Sequence, residues 1–190
     1  MKSLLLLFLS VFSSVTIAEN NLVVAAKERL KHFVIYDGSY QSIAYPNGDV
    51  DKNKGVCTDV VIRSYRSLGI DLQKSVHEDM KKNFSAYPQI WGLKKPDSNI
   101  DHRRVPNLEK YFQRHGTILT ISDQAKDYQP GDVVTWRLPN NLPHIGIVSN
   151  SLSDEDPIRY KIIHNIGWGP KLDDMLFDYK IVGHYRYGPE

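Results

Sequence analysis

The stretch Gly55-Val56-Cys57-Thr58-Asp59-Val60-Val61-Ile62-Arg63-Ser64-Tyr65-Arg66-Ser67-Leu68-Gly69 decides how the rest of the chain is read. Val60, Val61, Tyr65 and Leu68 recur at helical spacing and Gly69 supplies a stop, which predicts a helix from Val56 to Leu68. Cys57, the only cysteine in the chain, stands at its start. Unpaired backbone N–H groups and the positive end of the helix dipole face a side chain there. Both favour thiolate over thiol, and the same N–H groups donate to an oxyanion when a thiolate attacks a carbonyl. The polar neighbours Thr58 and Asp59 argue for an accessible sulfur. A lone cysteine also leaves two other readings open, an inert packed thiol and an intermolecular bridge.

Outward from this helix, Leu22, Val23, Ala26, Leu30 and Phe33 mark an amphipathic helix from Leu22 to Phe33. Tyr36 to Gly55 reads as loop, and Ile70 to Phe84 as another helix. Ser85 to Pro106 is irregular, and Asn107 is expected to cap a short helix ending at His115-Gly116. The pattern then becomes strands at Thr117–Ile121, Asp132–Arg137, Ile145–Ser149, Tyr160–Ile166 and Tyr179–Tyr187. Helices first and strands later predict an α+β domain, its N-terminal helices packed on a five- to six-stranded antiparallel sheet.

The N-terminus sets the expected compartment. Lys2, the apolar run Leu4 to Phe12 and Thr16-Ile17-Ala18 read as a signal peptide over residues 1–18, cleaved after Ala18. A periplasmic or secreted protein is expected, with no membrane span after cleavage, because no later stretch is long and apolar enough. Residues 19–190 suit one monomeric domain, interrupted by an insertion over residues 85–107. The formal net charge is +2. A balance so close to neutral gives no footprint for nucleic acid.

A thiolate nucleophile needs a base, and the base needs an orienting partner. Of the seven histidines, His32, His77 and His115 fall on predicted helices and read as surface, and His184 as a paired residue of the last strand. His144 opens the strand Ile145-Gly146-Ile147-Val148, and His164 ends the next one. A hairpin of those two strands brings both imidazoles to one end of the sheet, the arrangement of a base and its orienter.

These residues resemble the NlpC-type cell-wall peptidases, exported cysteine enzymes with a papain-like fold. Tyr45 stands twelve residues before Cys57, Pro130-Gly131-Asp132-Val133-Val134 resembles the family's strand opener, and His144-Ile145-Gly146-Ile147 resembles its His-Val-Gly-Ile signature. Ile162-Ile163-His164 resembles the site of the third catalytic residue, a role that Asn165 can also fill. The chain also looks like a narrower, mostly uncharacterised bacterial family, on Val56-Cys57-Thr58-Asp59-Val60-Val61, Asp101-His102-Arg103-Arg104-Val105-Pro106-Asn107 and Asn141-Leu142-Pro143-His144-Ile145-Gly146. The resemblance implies Cys57 as nucleophile, His144 as base and then acid, His164 as orienter and Tyr45 as a hydroxyl donor to the oxyanion. The implied substrate is a peptidoglycan stem peptide.

The chain departs from the pattern at Thr58-Asp59, where the larger group has Ser-Gly, and in the long interval between Cys57 and His144. A carboxylate at Asp59 raises the pKa of a nearby thiol unless it faces away. Asp59, Arg103, Arg104 and Trp168 are the candidate substrate-binding residues. The arginines suit a stem-peptide carboxylate, or pair with Asp97, Asp101 or Glu109 to fix their own loop, and Trp91 and Trp168 line a cleft or fill core. No cofactor or metal is expected. The rivals are a zinc site built from Cys57, His102, His144 and His164, a non-catalytic binding protein on the same fold, and an amidase or acyltransferase acting on another acyl substrate.

Overall fold

Asn20 opens the first helix: its side-chain oxygen accepts from the Leu22 and Val23 amides at 3.0 and 3.4 Å, satisfying donors that a helix start leaves free. The computed structural model describes residues 20–188, so the leader expected over residues 1–18 lies outside the described residues. Helix α1 runs Asn21–Arg29, ending before the predicted boundary because residues 30–32 turn away. The loop expected next is bracketed by two short strands, β1 (Ile35–Tyr36) and β2 (Lys54–Gly55), paired in parallel with Tyr36 opposite Gly55. Helices α2 (Cys57–Ser67) and α3 (Leu72–Asn83) follow.

Helix α4 spans Val105–His115 and has Pro106 in its first turn, where a missing N–H costs nothing. Asn107 is therefore inside the helix and is not its cap; its side-chain amide donates to the Asp101 carbonyl at 3.0 Å. The irregular segment before α4 includes a 3-10 turn, Asp101–Arg103, which touches α2, α3 and α4. The insertion thus packs into the helical layer.

Six strands complete the domain: β3 (Thr117–Ile118), β4 (Val133–Leu138), β5 (Leu142–Leu152), β6 (Tyr160–Asn165), β7 (Pro170–Asp173) and β8 (Lys180–Arg186). Their order is β3-β8-β4-β5-β6-β7, antiparallel throughout. Strand β7 has no counterpart among the predicted strands: it is four residues long and begins with proline, which an edge strand tolerates. Successive side chains alternate between faces. Val133, Ile145, Ile147 and Ile163 pack with residues of all four helices, while Val134, Trp136, Val148 and Ile162 pack against Tyr128, Met175 and Leu176 on the other side. The architecture is α+β, four helices with a six-stranded antiparallel sheet.

Candidate active site

Val56 has no side-chain oxygen to cap α2, and Asp59 does so from the third helical position, accepting the Val56 N–H at 2.7 Å. The backbone N–H groups of Cys57 and Thr58 are turned towards the Cys57 sulfur, and that of Ile145 approaches it from β5. Cys57 is nonetheless only 4 % exposed, with Thr58 and Asp59 buried beside it. The expected open, acidic thiol is therefore not found. Burial pushes the thiol up to about 12 and, aided by the nearby Asp59 carboxylate, outweighs the three N–H donors. The polar neighbours are buried because they have partners: the Thr58 hydroxyl donates to the Arg103 carbonyl at 3.1 Å.

The hairpin of β5 and β6 brings the two histidines together. His144 Nε2 lies 3.1 Å from His164 Nδ1, and His164 Nε2 lies 3.1 Å from Asp173 Oδ2. Gly146 permits this approach, because a Cβ there would sit 2.7 Å from Ile162 Cγ2 and 3.2 Å from His164 Cβ. The chain of contacts fixes the tautomers. With the Asp173 oxygen as acceptor, His164 carries its proton on Nε2 and presents a lone pair at Nδ1. His144 then donates from Nε2, and its Nδ1 is the basic nitrogen. Burial holds His144 down at about 3, with His164 adding to the effect. His164 is also lowered by burial, against the pull of Asp173. The hydrogen bond of His144 ends on His164 and does not reach Cys57; the two residues are linked through Ile145, whose amide faces the sulfur.

Tyr45 is not brought to Cys57. Its half-exposed ring packs edge-on against His77, centroids 5.0 Å apart. The tyrosine within electrostatic reach of Cys57 is Tyr36, placed there by the register of β1 on β2. Tyr36 is 45 % exposed, and its partial burial, with Cys57 and Asp59 adding to it, raises it to about 12, so its hydroxyl remains a donor at neutral pH.

The expected substrate-binding residues are largely occupied. Arg103 grips Asp59 through Nε and Nη2 at 3.0 and 2.9 Å and donates to the carbonyls of Ser39 and Asp37. Neither Arg103 nor Asp59 is free to read a ligand, and the partner is none of the acids expected from the sequence. Arg104 does pair with Asp101, at 3.1 Å, and lies over the Trp91 ring, 4.1 Å from its centroid. Trp168 fills neither core nor cleft wall: it is 87 % exposed on the turn between β6 and β7. His102 is buried among the charges of Arg103, Arg66, Asp71 and Asp49. Among the described residues no group of three or more His, Cys, Asp or Glu is arranged to hold a metal ion.

The chain matches the family model "Domain of unknown function (DUF1287)" over residues 23–187. It belongs to this family. A relative from Escherichia coli (strain K12), "Uncharacterized protein YijF", is 53 % identical over 173 residues, covering 90 % of this chain and 83 % of its own length. In this DUF1287 member, sequence reasoning missed two site residues. Tyr36 sits in a two-residue strand with no periodicity to detect, and Asp173 sits in β7. The one available signal for Asp173 was its distance from His164, short enough for a hairpin return.

Proposed function

We propose that the protein is an exported cysteine hydrolase, related to the NlpC-type papain-like enzymes, that cleaves amide bonds in peptidoglycan stem peptides. The observation that carries this reading is the Asp173–His164–His144 chain, which leaves one basic nitrogen on a histidine adjacent in sequence to the residue whose amide faces Cys57. An isolated packed thiol has no use for a histidine whose tautomer is set by two successive partners.

In this proposal the resting site is neutral, with thiol and imidazole both uncharged. As the sulfur attacks the substrate carbonyl, His144 Nδ1 takes the Sγ proton. The carbonyl oxygen gains negative charge and is met by the Cys57 and Thr58 amides and the Tyr36 hydroxyl. Collapse breaks the C–N bond as His144 returns the proton to the leaving amine. Water then attacks the thioester, giving its proton to His144, and as the C–S bond breaks His144 returns that proton to Sγ, releasing the acid and restoring the free thiol. Asp173 holds His164 in place throughout.

Purified peptidoglycan incubated with the protein is expected to release cleaved stem peptides, and Cys57→Ala to release none. Mass spectrometry of the products identifies the bond. Equal product from the variant removes Cys57 from the mechanism. The burial of Cys57 favours a second reading, a periplasmic binding protein on the same fold. Stoichiometric capture of stem peptides without turnover, unchanged in Cys57→Ala, selects it.

A further inference from the structure

On the outer flank of α2 lies a cleft of about 280 Å³, bounded by the end of α1, the loop before α2 and the turn between β6 and β7. Cys57 does not line it, although Gly55 and Val56 do. Its walls carry four cations, Arg29, Lys52, Arg63 and Arg66, against the carboxylates of Asp49 and Asp59.

Both carboxylates are already neutralised. Asp49 is held by Arg63 and by Arg66 Nη1, and Asp59 by Arg103. Arg29 and Lys52 have no ion-pair partner among the described residues, so the cleft carries uncompensated positive charge.

Three buried polar atoms of its lining residues also lack a partner among the described residues: Arg29 Nε, Arg66 Nε and Asn165 Oδ1. Buried polar groups are normally hydrogen-bonded, so three around one concavity single it out. Asn165 is completely buried, and its amide nitrogen faces the Gly55 carbonyl at 3.4 Å. That contact orients the side chain, so the free end is the acceptor oxygen.

We propose that this cleft binds the carboxylate end of an acylated amino acid or peptide, the carboxylate meeting Arg29, Arg66 and Lys52 while the adjoining peptide N–H donates to Asn165 Oδ1. The acceptor selects among anions. Fully deprotonated sulfate offers only acceptors and leaves Asn165 unsatisfied, whereas a carboxylate one carbon from an amide offers both groups. The volume is near the lower end of small-ligand pockets, which run from about 300 Å³, and suits one residue. This inference is independent of the hydrolase reading and needs no chemistry at Cys57.

The test is a ¹H–¹⁵N NMR titration of the protein with N-acetylalanine, with its neutral N-methylamide and inorganic sulfate as separate arms. Saturable shifts are expected at the Asn165 side-chain amide, Gly55 and Arg29 Nε, with the methylamide and sulfate each about tenfold weaker or more. Arg29→Met and the exposed-site variant Lys52→Gln should each weaken N-acetylalanine binding, and Asn165→Leu should erase the preference over sulfate. Cys57→Ala should bind like the parent, which separates this result from any failure of hydrolysis. Shifts that do not saturate, equal binding of sulfate, or full affinity in both Arg29→Met and Lys52→Gln would overturn the proposal.

Discussion

Arg103 and Asp59 stand 44 residues apart in the chain and meet through two parallel hydrogen bonds, 3.0 and 2.9 Å long, beneath the first turn of α2. Both side chains are almost wholly buried. Arg103 thereby ties the 85–107 segment to the helix that bears Cys57, and through its bonds to Asp37 and Ser39 also ties the loop after β1. Removing one partner of a buried pair strands the other charge. Arg103→Met is expected to cost about 3–5 kcal/mol of stability, read from the urea midpoint, with Arg103→Met/Asp59→Leu recovering part of it. A single variant that unfolds at the parent's midpoint contradicts the pairing.

Asp173 orients His164 from a position that is about half exposed, so water screens part of its effect. Asp173→Asn is expected to lower kcat by about ten- to a hundredfold, less than the loss seen for a buried triad aspartate, and to leave KM near the parent value. A change confined to KM places Asp173 in substrate binding instead.

The two tyrosines separate cleanly. Tyr36→Phe removes a donor near Cys57 and should reduce kcat about a hundredfold or less, as expected for one oxyanion donor. Tyr45→Phe, on the α3 side, should leave it unchanged. The reverse ranking restores the role that the twelve-residue spacing implies for Tyr45.

Burial of the Cys57 thiol has a direct kinetic signature. In the free protein, iodoacetamide should alkylate Cys57 more slowly than free cysteine at pH 7.5, the rate still rising at about pH 10, because the thiolate forms only as pH nears 12. A plateau below pH 8 indicates a preformed thiolate.

His102 and His144 are both buried and both held at about 3, chiefly by desolvation, with Arg103 and Arg66 adding to it at His102 and His164 at His144. The unfolded chain titrates near 6.5 and therefore binds more protons than the folded one between these values. Their contribution to stability is intact above about pH 6.5 and falls as pH drops towards 3, by up to about 1.4 kcal/mol per unit for each group. Thermal midpoints between pH 7 and 4 should decline accordingly, and His102→Gln should flatten the slope. Parallel slopes for parent and variant contradict a neutral buried His102.

The fold was largely legible because its signals are local. Val60, Val61 and Tyr65 recur within one helix, and residues 145–148 form a run that only a strand buried on both faces requires. The pairing of His144 with His164 followed from one hairpin. What stayed hidden depends on distant contacts. The Asp59 carboxylate beside the thiol is gripped by an arginine 44 residues away. The tyrosine that reaches Cys57 is chosen by the register of Tyr36 against Gly55, which counting along the chain from Tyr45 does not reveal. Burial of the sulfur comes from a core shared with distant helices and with Ile145 of β5, and no property of residues 57–59 encodes that.

Trp168, bare on the turn that joins His164 to Asp173, gives the protein an optical handle on its own site. Trp136 is completely buried, with its indole N–H on the Leu176 carbonyl at 2.9 Å. The two indoles thus emit from opposite surroundings, one aqueous and one apolar. A collisional quencher in solution silences the first and spares the second. Any chain drawn across the β6–β7 turn shields Trp168 from that quencher, so with the half-buried Trp91 replaced by phenylalanine occupancy beside the histidines can be followed by light alone.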